Sequence, residues 1–296
     1  MAGSKAIKII FVLLIFFSAS FMISRNFNSI DFSDKIVFIP IKGTIYSGNG
    51  NGLFNEDRTL SSDIINYLEK AENDNTIKAV ILEINSPGGT VIGSKEIADK
   101  VKSLDKPVVS WIREVGASGA YWVASASDAI VADPLSITGS IGVVSSYLEF
   151  DKLFEKYGVT YERLVSGQFK DAGSPYKELT DEERNMLQGK IDLIHDAFVK
   201  DVSENRGKNL GKYATGEFFL GSEAYKLGLI DYLGGKEKAI NVSKELAKIE
   251  KAKTVTFRSK KSLLGSLDKY FTKFSYNIGV GISDGLLAKD EFEIKA

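Results

Sequence analysis

Apolar and polar residues change period repeatedly along this chain, and the changes predict strands and helices in turn. Ile36-Val37-Phe38-Ile39-Pro40-Ile41 reads as a first strand. Ser61 or Ser62 is placed to cap a helix whose Ile64, Ile65, Leu68 and Ala71 fall on one face. The run Ile77-Lys78-Ala79-Val80-Ile81-Leu82-Glu83-Ile84 predicts a half-buried strand, closed by the turn Asn85-Ser86-Pro87-Gly88-Gly89. A helix over 91–104 follows, carrying Ile92, Ile97 and Val101, then a strand over 107–112. After a glycine-flanked serine turn come a short helix over 118–127 and a strand over 129–132. Further strands are expected over 141–150 and 159–165, on either side of a helix over 151–157. Thr180-Asp181-Glu182-Glu183 is a capping box opening a long helix, with Leu187, Ile191, Ile194, Phe198 and Val202 at helical spacing. A last unit spans 221–231. Strands alternating with helices define an α/β domain with much parallel pairing, and nothing divides residues 36–252 into two.

Both ends depart from this pattern. Lys5 and Lys8 precede an apolar run, and residues 7–23 form a stretch of roughly seventeen, the lower limit for crossing a bilayer core. Ser18-Ala19-Ser20 also fits a small-residue cleavage site, so a removed signal peptide competes with a retained anchor. The run continues past that site, which favours the anchor. The preceding lysines place the N-terminus in the cytoplasm and the rest of the chain outside it. The expected organisation is an N-terminal transmembrane helix or signal segment at 1–25, a polar linker at 26–35, the main domain at 36–252 and a tail at 253–296. In the tail, Leu263, Leu267, Phe271, Phe274 and Ile278 can share one face of an amphipathic helix flanked by Lys260, Lys261 and Lys269. Such a helix suits a membrane, a neighbouring subunit or the chain's own domain.

The charge balance narrows the partners and the chemistry. A net charge of −1 gives no electrostatic reason to expect nucleic acid. Zero cysteines exclude a disulfide framework, a thiol nucleophile and a thiolate metal site. The Asp and Glu residues show no clustered metal spacing, and neither a metal nor a cofactor is expected. The glycine-rich loop at 46–52 lacks the Lys-Ser/Thr ending of a phosphate-binding loop and reads as a surface loop. Asn241-Val242-Ser243 matches a glycosylation sequon of a kind that chance supplies.

Two segments carry candidate chemistry. Gly116-Ala117-Ser118-Gly119-Ala120-Tyr121 presents a serine on a tight turn between a strand and a helix. Gly167-Gln168-Phe169-Lys170-Asp171 places a lysine in a glycine-started loop. Hydrolysis by serine needs a base for the hydroxyl proton and donors for the oxyanion. The amide of Gly119, beside Ser118, is one such donor; that of Gly89, in the turn ending a buried strand, is a second. The single histidine, His195, lies beside Ile191 and Ile194 on the long helix and reads as structural. Lysine is therefore the candidate base. Its reference pKa of about 10.4 must fall by roughly three units, through partial desolvation, to leave a useful neutral fraction near pH 7. Phe169, Ala172 and Gly173 provide apolar surroundings for Lys170. Asp171 opposes the shift unless, as in an extended segment, it points the other way.

The motifs Asn85-Ser86-Pro87-Gly88-Gly89, Ala117-Ser118-Gly119-Ala120-Tyr121, Thr138-Gly139-Ser140-Ile141-Gly142-Val143 and Lys170-Asp171-Ala172-Gly173-Ser174-Pro175 together resemble the bacterial signal peptide peptidase A family of serine/lysine proteases. Each is weak alone; four in order and spacing are specific. The resemblance covers roughly 36–250, in the form with a single catalytic domain. It implies Ser118 as nucleophile, Lys170 as general base, Ser140 as a hydroxyl orienting the lysine amine, and Gly89 and Gly119 as oxyanion amides. It also implies the Clp protease/crotonase-like ββα spiral and a dome-shaped homo-oligomer whose active sites form across a subunit boundary. Ala120 departs from the family, which more often has glycine there.

The expected function is that of a single-pass protein of the cytoplasmic membrane with an extracytoplasmic endopeptidase domain, degrading signal peptides left after their release from preproteins. Two readings compete with it. One is a catalytically silent scaffold that binds peptides at the membrane. The other is crotonase-type acyl-CoA chemistry, which uses two oxyanion amides but explains neither the serine, the lysine nor the anchor.

Overall fold

The computed structural model describes residues 33–48 and 58–257, all within one compact unit. In chain order these residues form β1 (Lys35–Lys42), β2 (Thr44–Tyr46), β3 (Arg58–Leu60), α1 (Ser61–Asn73), β4 (Ile77–Ser86), α2 (Val91–Lys102), β5 (Val108–Ala117) and α3 (Gly119–Ser125). There follow β6 (Ala129–Ala132), β7 (Ile137–Gly139), α4 (Asp151–Lys156), α5 (Asp181–Asn205), β8 (Phe218–Leu220), α6 (Gly221–Leu227), β9 (Tyr232–Leu233), α7 (Lys236–Ala247) and β10 (Lys253–Thr256). The main sheet runs β10-β1-β4-β5-β6-β9, with parallel neighbours throughout. A branch leaves its centre: β7 pairs parallel with the end of β5 and antiparallel with β8. β10 carries the sheet to Thr256, beyond the expected boundary at residue 252.

Apolar side chains cover both faces of the central strands. Val37, Ile39, Val80, Leu82 and Ile112 face one layer with α1, α2 and α3. Ile36, Phe38, Ala79, Ile81 and Val109 face the other with Ala239, Ile240 and Val242 of α7. This explains why β4 is buried along nearly its whole length rather than half-buried, as its interleaved Lys78 and Glu83 had indicated. A strand covered on both sides reads as a continuous apolar run, and its two charged residues are partly buried and ion-paired, Lys78 with Asp34 and Glu83 with Lys42 and Arg113.

Three expectations are corrected. The N-cap of α1 is Leu60, not a serine. Ser61 donates instead to Glu96 Oε2 at 2.5 Å and Ser62 to the Gly48 carbonyl at 3.0 Å. Residues 141–150 and 159–165 form no strand. Neither finds a strand partner among the described residues, and Val144 and Leu164 are 88% and 90% exposed. These residues belong to an arm, roughly 143–180, that packs on its own aromatics: Phe154 and Tyr161 both lie against Tyr176, at 5.7 and 5.4 Å between ring centres. Ile92 of α2 is also exposed, while Ile97 and Val101 are buried as expected.

The expected membrane helix at 1–25 and the amphipathic stretch at 260–278 lie outside the described residues. Among the described residues, no helix is long and apolar enough to cross a membrane.

Candidate active site

Ser118 sits where β5 gives way to α3, with φ 52° and ψ −126°. Few non-glycine residues take this backbone region, which costs about 1–3 kcal/mol and persists only where neighbours impose it. Here the Ser118 amide donates to the Gly139 carbonyl of β7 at 2.8 Å, and the Ser118 carbonyl accepts from Tyr121 and Trp122 at 2.9 and 3.0 Å. Thr138, beside Gly139, is buried and donates to the Gly116 carbonyl at 2.9 Å. The serine is thus clamped between a strand pair and the first turn of a helix. That helix is anchored in turn: the buried Tyr121 hydroxyl donates to the Leu229 carbonyl at 2.8 Å. Burial pushes the Tyr121 phenol far up, so it stays neutral.

The Gly88-Gly89 turn comes within contact of this elbow. Gly88, at φ 102°, lies so close that a Cβ there would stand 2.8 Å from the Gly119 nitrogen and 3.0 Å from Ser118 Cβ. Gly89 forms an isolated parallel bridge with Ile45. In it Ile45 donates to the Gly88 carbonyl at 2.9 Å, and Thr90 donates to the Ile45 carbonyl at 2.8 Å. Such a bridge uses groups of the residues flanking Gly89, so its own N–H points to the opposite side, where Gly89 lines a cavity. Gly119 opens α3, and its N–H belongs to the first turn, which has no intrahelical partner. The structure therefore brings Ser118, Gly89 and Gly119 together.

The cavity they share has a volume of about 100 Å³. Its remaining walls are Val91, Ser94, Trp122, Gly142, Val143, Val144 and Phe198. Trp122 and Phe198 stack at 4.4 Å and set one side. Ser94, Trp122 and Phe198 were not singled out from the sequence as site residues. A signal existed for Ser94: it shares the spacing of the buried Ile97 and Val101, which marks a hydroxyl on the inner face of α2.

No titratable side chain is among the described residues that line this cavity. Lys170 is exposed in the arm, so the burial anticipated from Phe169, Ala172 and Gly173 is absent within the single chain. Its segment is a series of tight turns rather than extended: the backbone amides of Lys170, Ala172 and Ser174 donate to the backbone carbonyls of Gly167, Phe169 and Asp171, at 3.1, 3.2 and 2.9 Å. Asp171 is engaged elsewhere. Both its oxygens accept from Arg163, at 2.5 and 2.8 Å, and this pair holds the carboxyl down at about 2. Ser140, at φ 49°, donates its hydroxyl to the Gly216 carbonyl at 3.2 Å and keeps its lone pairs for an incoming donor. His195 contacts the Ala214 carbonyl at 3.0 Å through Nε2 and does not line the cavity.

A serine on a strained strand-to-helix turn, beside two glycine amides and an apolar cavity, is the apparatus of a serine hydrolase. Comparison with known proteins is more specific. The model of peptidase family S49 matches residues 100–250, and that of Clp protease matches residues 54–131. A putative protease of Methanocaldococcus jannaschii is 34% identical over 289 residues, covering 94% of this chain and 90% of that one. A putative signal peptide peptidase SppA of Enterococcus faecium is 33% identical over 231 residues, covering 76% of this chain and 67% of its own. The chain belongs to peptidase family S49, the signal peptide peptidase A family, and it is a serine protease with a Clp protease-like α/β domain. That membership selects the protease reading over the scaffold and the acyl-CoA enzyme. The fold alone is also shared with a solved structure, a lysine-to-alanine variant of the 1510-N membrane-bound stomatin-specific protease in complex with a substrate peptide. It has a TM-score of 0.52 at 17% identity, covering 81% of this chain and 99% of that one.

Proposed function

We propose that this chain is a membrane-anchored, oligomeric endopeptidase with a Ser118–Lys170 dyad that degrades remnant signal peptides. The observation that carries the reading is the elbow at Ser118, strained and clamped beside the Gly89 and Gly119 amides. A neutral Lys170 amine takes the Ser118 hydroxyl proton as Oγ bonds to the peptide carbonyl carbon. The carbonyl π pair moves onto oxygen, where the two amides stabilise it. Collapse restores the carbonyl and breaks the C–N bond, and the lysine ammonium gives its proton to the departing amine. Water then repeats the sequence on the acyl ester, releasing acid and freeing Ser118.

Lys170 reaches that position from a neighbouring copy. Two features support this: the cavity around Ser118 has no base of its own among the described residues, and Lys170 rides on an arm that exposes Val144, Leu148, Tyr157 and Leu164. Exposed apolar surface of this kind marks an interface. Docking strips water from the amine, and Ser140 accepts one of its hydrogens so that the lone pair faces Ser118. The apolar cavity suits small or aliphatic side chains of an extended peptide. The membrane reading rests on the apolar run at 7–23, and the signal-peptide reading on the name carried by the E. faecium relative.

The test is peptide turnover by the full chain in detergent, alongside Ser118→Ala and Lys170→Ala. Each substitution is expected to lower kcat by about 10³-fold or more without unfolding the protein. A fully active Lys170→Ala chain sinks the dyad. A preference for charged over apolar peptides sinks the substrate assignment.

A further inference from the structure

Beside Ser118 in the cavity wall stands a second serine whose hydroxyl is unspent. Ser94 is fully buried, and its Oγ has no hydrogen-bond partner. A serine inside a helix ordinarily returns its hydroxyl to the carbonyl four residues back. Here the Thr90 carbonyl takes only the Ser94 amide, at 3.0 Å. An unpaired buried hydroxyl costs folding free energy, so its retention calls for a reason. The other buried polar side-chain atom without a partner among the described residues, Arg206 Nε, has one in kind: the same guanidinium makes two bonds to Asp231. Ser94 has no such compensation.

Its location supplies the reason. A Cβ placed on Gly119 would overlap Ser94 Oγ and stand 3.3 Å from the Gly89 nitrogen. The hydroxyl therefore lies where the two amide-bearing glycines converge, on the wall of the cavity that holds Ser118. We propose that Ser94 is a third donor of the oxyanion site. As the substrate carbonyl oxygen gains negative charge, the Ser94 O–H donates to it beside the Gly89 and Gly119 amides. No bond to Ser94 forms or breaks, and its proton stays on Oγ. A donor idle in the free protein and engaged when charge develops favours the transition state over the ground state. The inference rests on the serine protease mechanism above, with Ser118 as nucleophile.

The experiment compares the full-length wild type with Ser94→Ala in detergent, measuring kcat, KM, Tm and affinity for a peptide boronate, whose anionic tetrahedral adduct on Ser118 sets a boronate oxygen in the oxyanion site. The expected result for Ser94→Ala is a kcat lower by about 10–100-fold at unchanged KM, and boronate affinity lower by a similar factor. Its Tm is expected to equal or exceed that of the wild type, because the unpaired hydroxyl is gone. Ser94→Cys puts a somewhat larger and weaker donor at the same place, and its kcat is expected to fall between the two. An unchanged kcat, a loss confined to KM, or a fall in Tm overturns the role. A wild type that neither cleaves peptide nor takes the boronate overturns the mechanism and this inference together. An active wild type with an equally active Ser94→Ala overturns the inference alone.

Discussion

At the scale of single residues, the candidate site stores strain at Ser118, the proposed nucleophile. Ser118 holds a backbone conformation that glycine adopts freely. Ser118→Gly is therefore expected to abolish turnover while raising stability by about 1 kcal/mol, read from urea unfolding. A glycine variant less stable than wild type contradicts the account of the elbow. Gly88→Ala is expected to do the opposite. Its Cβ would press on the Gly119 nitrogen and the Ser118 side chain at positive φ, costing about 1–3 kcal/mol and most of the activity. A Gly88→Ala chain with wild-type melting and turnover removes the argument for close approach. Ser118, Gly89 and Gly119 were legible because glycines flanking a serine, and a glycine pair ending a strand, constrain the backbone locally. Ser94 was not, because its importance lies in a missing hydrogen bond that only three-dimensional packing reveals. The exposure of Lys170 was hidden for a similar reason: neighbouring small and apolar residues do not bury an amine unless another element covers them.

Among the elements, the sheet centre was easy to read and the arm was not. The runs at 36–41 and 77–84 are strands because helices cover both faces, whereas 141–150 and 159–165 mix apolar and polar residues and have no partner strand among the described residues. Alternation records a surface that is covered on one side, and it does not say by which chain. β7 and β8 escaped notice because three residues are too few for a period, yet β7 supplies the carbonyl that fixes the Ser118 amide. The arm is tied to α5 through Glu183, whose carboxylate accepts from Lys177 at 2.6 Å and from the Thr180 amide at 3.1 Å. The Lys177 bond, then that amide, hold Glu183 below the usual carboxylate range. A depressed carboxyl stabilises the fold above its unfolded value and loses that contribution as pH falls through its folded value. Glu183→Gln is thus expected to lower stability at pH 7, with the gap to wild type closing below about pH 4. A gap that persists or widens in acid would show that the pair is not its source. On α5 itself, Phe198→Ala removes the ring stacked on Trp122 and is expected to cost about 3–5 kcal/mol in urea unfolding. A cost under 1 kcal/mol would mean that this cavity wall is not close-packed.

For the whole molecule, the proposed active site is shared: one chain presents the nucleophile and the oxyanion amides while another brings the base. The α/β domain itself follows from the order of strands and helices, but an assembly leaves only indirect marks in a sequence. In the structure of one chain, the features that support the proposed assembly are an exposed apolar arm and a serine with no base in its cavity among the described residues. The most direct measurement mixes full-length Ser118→Ala with full-length Lys170→Ala under conditions that exchange subunits, and follows peptide turnover. Each variant alone is predicted to be inactive. The mixture is predicted to recover about a quarter of wild-type activity, because that share of boundaries joins an intact serine to an intact lysine under random cyclic assembly. A mixture as inactive as its components contradicts a site shared between chains, and an active Lys170→Ala alone contradicts the dyad.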